Sequence, residues 1–231
     1  MTRTRITQPR TVPVIGTDAH LRALGGAELE PGALRQRLAR LAMPGHGFEP
    51  ERPGDGITAT TREPAPASVL VPLVPREGGL HVLLTQRTDH LHDHAGQISF
   101  PGGRRDPGDA DEVATALREA QEEVGLHPRH LEVLGNMPVY RTVTNYVVTP
   151  VVALVHPPFE LELDSFEVAE AFEVPLSFLM TPAHHRWHEW HEPDGSTRHF
   201  LSMPWQGASR EYFIWGATAA MLRNLYRLLA D

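Results

Sequence analysis

"FPGGRRDPGDADEVATALREAQEEVG", Phe100 to Gly125, passes from a glycine-rich loop into a run of strong helix formers. Val113, Ala116, Leu117, Ala120 and Val124 recur at helical spacing, and Gly125 stands where a C-terminal cap belongs. The spacing predicts a helix. Glu119, Glu122 and Glu123 lie at i, i+3 and i+4, so their carboxylates share one face within mutual reach. Alone, such a cluster is either a solvated charged face or a site for a hard divalent cation that takes oxygen ligands. Context favours the second reading. The helix is entered from a loop whose glycines allow backbone to approach a ligand and whose N–H groups can bind oxyanions, while Arg118 is spaced to reach Glu122.

Upstream, "ASVLVPLVP" and "LHVLLTQR" are β-branched and leucine-rich runs separated by "REGG", which predicts a hairpin or adjacent strands of a buried sheet. Downstream, "LEVLGNMPVYRT", "YVVTPVVALV" and "FEVAEAFEV" read as strands, a hairpin is expected around "EPDGS", and "GATAAMLRNLYRLLA" closes the chain as a helix. Consecutive strands mixed with helices indicate an α+β sandwich rather than a doubly wound α/β sheet. Residues 1 to about 29 read as irregular, and "PGALRQRLARLAMP" spaces Leu34, Leu38 and Leu41 along one face of a short helix. From Gly45 to Pro66 no apolar period is present, so residues 1–66 form an extension ending in a linker and residues 67–231 the main domain.

Composition excludes several chemistries. The 231 residues contain no Cys, which removes disulfides, thiolate metal sites and a cysteine nucleophile. All 21 basic residues are Arg, which removes Schiff-base and lysine-base mechanisms. A net charge of -8 offers no overall field toward nucleic acid or anionic lipid, so a polyanionic ligand calls for a bound cation. The N-terminus lacks the apolar core of a signal peptide and no run is long enough to span a bilayer; the expectation is a soluble cytoplasmic protein with no membrane or nucleic-acid partner, monomeric or homodimeric.

The stretch Gly103 to Leu126 resembles the Nudix box, G-x5-E-x7-R-E-U-x-E-E-x-G-U with U a bulky aliphatic. Arg118, Glu119, Ala120, Glu122, Glu123, Gly125 and Leu126 match its second half. In the first half the early Glu falls on Asp109, with one extra residue before Arg118, which leaves the partner of Arg118 open. A second motif, L-L-T-x-R-S-x3-R-x3-G-x3-F-P-G-G, precedes the box in the coenzyme A pyrophosphatase branch of that superfamily. Leu83, Leu84, Thr85, Arg87, Gly96, Phe100, Pro101, Gly102 and Gly103 match it at the same spacing. Thr88 replaces Ser and keeps a hydroxyl; His92 replaces Arg and exchanges a permanent cation for a titratable one. The segments "NYVVTPVV", "VAEAFEVPLSFL" and "IWGATAAMLRNL" are also similar, so the resemblance runs from about Ser68 to the C-terminus.

The resemblance implies a Nudix-type α/β/α sandwich with a mixed sheet, carrying an N-terminal helical extension. It implies metal-dependent hydrolysis of coenzyme A or acyl-CoA to 3′,5′-ADP and 4′-phosphopantetheine. Mg²⁺ or Mn²⁺ would be held by Glu119, Glu122 and Glu123 with the carbonyl of Gly102 or Gly103, and Glu170 is a candidate further ligand with Glu167 behind it. Glu119 is the candidate base, with Arg118 in the catalytic set. Arg87, Thr88, Gly96, Phe100, Gly102 and Gly103 are expected at the substrate, Arg87 serving either a phosphate or a local carboxylate. The alternatives are a Nudix pyrophosphatase for another nucleoside diphosphate conjugate such as ADP-ribose or NADH, an enzyme acting on damaged triphosphates, and a non-catalytic nucleotide sensor. The histidines of "HLHDH" and "HHRWHEWHE" are expected in solvated or packing roles, the latter stretch as an edge strand. Trp187, Trp190, Trp205 and Trp215 are expected in cores.

Overall fold

The computed structural model describes residues 6–41, 43, 45, 47–51, 63–90 and 95–231. In chain order its first elements are β1 (Val14–Thr17), α1 (Pro31–Leu41), β2 (Ala65–Arg76), β3 (Gly79–Arg87), β4 (Ile98–Ser99), β5 (Gly102–Arg104) and α2 (Glu112–Val124). There follow β6 (Leu131–Asn136), β7 (Tyr140–Arg141), β8 (Tyr146–Val155), β9 (Val168–Pro175) and α3 (Leu176–Leu179). The chain ends with β10 (Arg186–His191), β11 (Thr197–Gln206), β12 (Glu211–Trp215) and α4 (Gly216–Ala230).

The expected hairpin forms, with Arg76 opposite Gly79 in the antiparallel β2–β3 pair. Its β2 strand also pairs in parallel with β8, so the eight-stranded sheet is mixed. Alternation along β2 sends Leu70 and Val74 to one face and Val71 and Leu73 to the other. On the first face α2 adds Ala116, Ala120 and Val124 to the packing. On the second, Leu222, Leu225 and Leu229 of α4 and Leu34 and Leu38 of α1 complete the core. The result is an α/β/α sandwich, with both faces of the central strands buried and their sequences accordingly apolar throughout.

A second sheet of four strands, in the order β1-β10-β11-β12, takes up the histidine-rich segment and part of the arm read as irregular. All four residues of β1 are exposed, so no apolar alternation marks it; its order comes from hydrogen bonding to β10. That pairing makes β10 an inner strand rather than the expected edge. Its buried His188 faces the Val12 carbonyl at 2.9 Å and Ser202 Oγ at 2.8 Å, while Glu189 pairs with His191 and His199. The linker expected over Gly45–Pro66 lies largely outside the described residues, and its last two residues already belong to β2.

The arm and α1 are tied to the sandwich by specific contacts. Arg35 donates two hydrogen bonds to Glu132 on β6, and Trp187 Nε1 donates to Asp18 at 3.0 Å. Arg223 on α4, itself buried, forms ion pairs with Asp18 and Glu51 at 3.2 Å each. Leu38 is buried, with its Cβ 3.2 Å from where a side chain on Gly135 would begin. Leu38→Ala is therefore expected to remove about 2–5 kcal/mol from the stability of the whole sandwich, read as one shifted denaturant transition; an unchanged midpoint would show that α1 contributes nothing to the core.

Candidate active site

α2 starts where the Asp111 carboxylate accepts the Ala114 N–H at 2.8 Å, and ends at Gly125 in the left-handed conformation, φ 70°. Its buried stripe sits on the sheet, which turns Glu119, Glu122 and Glu123 toward the loop between β4 and α2. Glu122 lies nearest solvent and accepts from Arg118 at 2.9 Å; Glu119 pairs with the same guanidinium at 2.9 Å. Glu123 is only 4% exposed. It accepts the Gly102 N–H at 3.1 Å and lies 3.3 Å from Arg87.

The open question of Arg118 has a definite answer: Asp109 accepts two hydrogen bonds from it, each 2.9 Å, and Arg118 also donates to the Arg104 carbonyl. The guanidinium holds the Asp109 carboxyl well below the usual carboxylate range. A shorter carboxylate, one residue farther in sequence from Arg118, thus anchors the loop to it. Gly103 explains the loop's glycine. A Cβ built on it would stand 2.4 Å from Glu119 Oε2, so only a residue without a side chain lets that carboxylate lie against the backbone.

Arg87, at the end of β3, touches Glu123 and also Glu167 at 3.5 Å, so carboxylates hold its guanidinium. Thr88 fixes the segment carrying Glu167, its N–H donating to the Glu167 carbonyl and its hydroxyl to Phe166 O. Glu167 is therefore the residue from outside the helix that faces the cluster. Glu170 is not: it lies opposite Gln86, with its carboxylate held by Arg210 and by Tyr212 at 2.5 Å. The adjoining Ala171 packs against the α2 side of the sheet, and the strand's alternation sends Glu170 to the other side. Phe100, expected at the substrate, is instead 2% exposed within the main core. Gly96 adopts φ 66° and lines a separate cleft, and His92 lies outside the described residues. Sequence spacing alone could not separate Glu167 from Glu170, because a bulge shifts the β3–β9 register there.

Burial dominates the electrostatics. It pushes the Glu123 carboxyl up to about 7 against the pull of Gly102 and Arg87, with the negative charges of Glu167 and Glu119 adding to the rise. Glu119 is raised as well, by burial first and by Glu122 and Glu167, despite its bond to Arg118. Among the described residues no three acidic or histidine side chains converge as a ready metal cage. The glutamates are turned onto Arg118, the Gly102 N–H and Arg87. The donor set nonetheless fits a hard divalent cation: oxygen only, mutually repelling, and buried where its charge is undercompensated.

Residues 64–211 match the family described as NUDIX domain. A protein of Citrobacter koseri named "Uncharacterized Nudix hydrolase NudL" is 41% identical over 171 residues, 74% of this chain and 84% of that protein. Its namesake from Escherichia coli K12 is 42% identical over 160 residues, 69% of this chain and 80% of that protein. Among solved structures, a Nudix hydrolase from M. smegmatis, RenU, is 26% identical at a TM-score of 0.43, covering 50% of this chain and 73% of that one. No described helix is long and apolar enough to cross a membrane.

The Glu123 carboxyl, raised from 4.5 to about 7, contributes stability that is full below pH 4.5 and lost as pH rises through 7. Metal-stripped Glu123→Gln is accordingly expected to be more stable than the parent at pH 8 by about 1–3 kcal/mol, the difference closing toward pH 5. Added Mg²⁺ should raise the melting temperature of the parent more than that of the variant. A variant less stable than the parent at pH 8 would contradict the assigned charge strain.

Proposed function

The chain belongs to the Nudix hydrolase family, and from that premise we propose that it cleaves the diphosphate of coenzyme A or acyl-CoA. The products are adenosine 3′,5′-bisphosphate and 4′-phosphopantetheine or its acyl form. The observation that carries the reading is the physical union of the upstream motif with the glutamate helix. Arg87 meets Glu123 and Glu167, Thr88 fixes Glu167, and Gly102 donates to Glu123. A hydrolase needing only the box gives no reason for that upstream stretch.

Hydrolases of this family generally use divalent ions such as Mg²⁺ or Mn²⁺. Glu119, Glu122, Glu123 and the Gly103 carbonyl would hold them here, with Glu167 taking the place first given to Glu170. Bound there, such ions would supply positive charge to offset that of the diphosphate and would make a water easier to deprotonate. Glu119 receives the proton of the attacking water, and its raised pKa suits a group that must accept one. The water oxygen bonds to one phosphorus, and the bond from that phosphorus to the bridging oxygen breaks with its electron pair remaining on the departing phosphate. Arg118, anchored by Asp109, keeps Glu119 and Glu122 in register; Arg87 does the same for Glu123 and Glu167.

Chromatography of CoA, ADP-ribose and NADH incubated with the protein, with Mg²⁺ or Mn²⁺ and then with chelator, tests the reading. Adenosine 3′,5′-bisphosphate formed from CoA only with metal is the expected result. Intact CoA beside cleaved ADP-ribose or NADH would overturn the substrate assignment. Glu122→Gln should lower kcat by about a hundredfold or more with an unchanged circular dichroism spectrum. Gly103→Ala should cost a comparable factor by displacing Glu119, and near-normal turnover in either variant would remove the corresponding assignment.

A further inference from the structure

On the side of β3 away from α2 the molecule has a cleft of about 600 Å³, within the range of small-molecule sites. The arm supplies one wall through Ile6 to Thr11, β12 the facing one through Arg210 to Phe213 with Trp215, and Gln86 and the 95–98 loop close the end. Two guanidinium groups border it. Arg10 lies 5.0 Å from the Phe213 ring centroid and Arg210 lies 4.7 Å from that of Tyr212. Arg10 is also paired with Glu211 at 2.7 Å, yet its side chain is 55% exposed. A guanidinium has five N–H donors, so that pairing leaves others for an incoming anion. Arg210 is likewise paired, with Glu170, so the rim carries two ion-paired guanidinium groups beside aromatic rings rather than an excess of positive charge.

The cleft is continuous with the glutamate site along the chain. Gln86 borders it and the next residue, Arg87, touches Glu123. Ile98 borders it too, and five residues on, at most roughly 18 Å of extended chain, stands Gly103 against Glu119. The two sites lie on opposite sides of the sheet, so a substrate whose diphosphate lies at α2 must pass around the end of β3 to place one end in the cleft. Pantetheine is uncharged and has no aromatic ring, whereas a nucleoside bearing a phosphomonoester offers a base to stack and a dianion to pair.

We infer that this cleft is the subsite for the 3′-phosphorylated nucleoside end of the substrate, and that the N-terminal arm completes it, with Arg10 as the phosphate-recognising cation. The inference rests on the CoA reading for its ligand and assigns a specificity role to the arm. It also gives Glu170 a task, since that carboxylate holds Arg210 at the cleft.

The test is calorimetric titration of the full chain, in chelator, with adenosine 3′,5′-bisphosphate. The parent should bind and Arg10→Ala should bind about tenfold more weakly. Glu211→Gln distinguishes recognition from mere latching of the arm, because it breaks the same ion pair while leaving Arg10 in place. It should bind at least as tightly as the parent. In turnover of CoA, Arg10→Ala should raise KM about tenfold with kcat retained, and the effect should vanish with dephospho-CoA, which lacks the 3′-phosphate. The inference is overturned if the parent does not bind, if Arg10→Ala binds equally, or if Glu211→Gln is as weak as Arg10→Ala. Bisphosphate binding that depends on Arg10 without CoA turnover would remove the proposed reaction and leave the nucleotide subsite standing. CoA turnover with binding indifferent to Arg10 would do the reverse.

Discussion

The bond from the Gly102 N–H to the buried carboxylate of Glu123 is the contact on which the rest of the site depends. It joins the glycine loop to the helix at Glu123, the most buried of the three helix glutamates. One backbone donor and a guanidinium at 3.3 Å do not offset the burial of that charge, as its raised pKa records. The neighbouring Glu119 and Glu167 add to the strain. A concentration of negative charge that the protein alone leaves undercompensated is one that a hard divalent cation would relieve, which is what the proposed hydrolysis calls for.

The central sheet divides the labour. Arg87 at the end of β3 and Glu167 just before β9 meet the glutamates on the α2 side; Gln86 of β3 and Glu170 of β9 hold Arg210 at the cleft beneath the arm. A step of one residue, from Gln86 to Arg87, therefore separates the proposed recognition from the proposed chemistry. The loop from Gly96 to Gly103 crosses between them, held by the Thr218 hydroxyl on the Ile98 carbonyl and by the Leu70 N–H on the Pro101 carbonyl. The second sheet supports the arm, which would otherwise have no partner for its exposed strand.

Much of this was legible in the sequence because local signals coincide with the global fold. The α2 stripe, its Gly125 cap, the hairpin at Glu77-Gly78 and the closing helix at Gly216–Ala230 each carry their own periodicity or turn chemistry. What failed depends on nonlocal partners. β1 has no buried residue of its own, so nothing in "VIGT" announces a strand until β10 is beside it. Phe100 reads as a ligand contact from its motif position, but packing draws it into the core. Glu167 and Glu170 differ by a register shift that spacing cannot report, and Asp109 takes up the role of a Glu only because the loop geometry brings its shorter side chain to Arg118.

The most direct test of the account is the anomalous diffraction of crystals soaked in Mn²⁺. An ion among Glu119, Glu122, Glu123 and Glu167, with Glu119 and Glu122 swung away from Arg118, is the result the charge strain at α2 requires. An ion bound at Glu170, or none at α2 at saturating Mn²⁺, would contradict it.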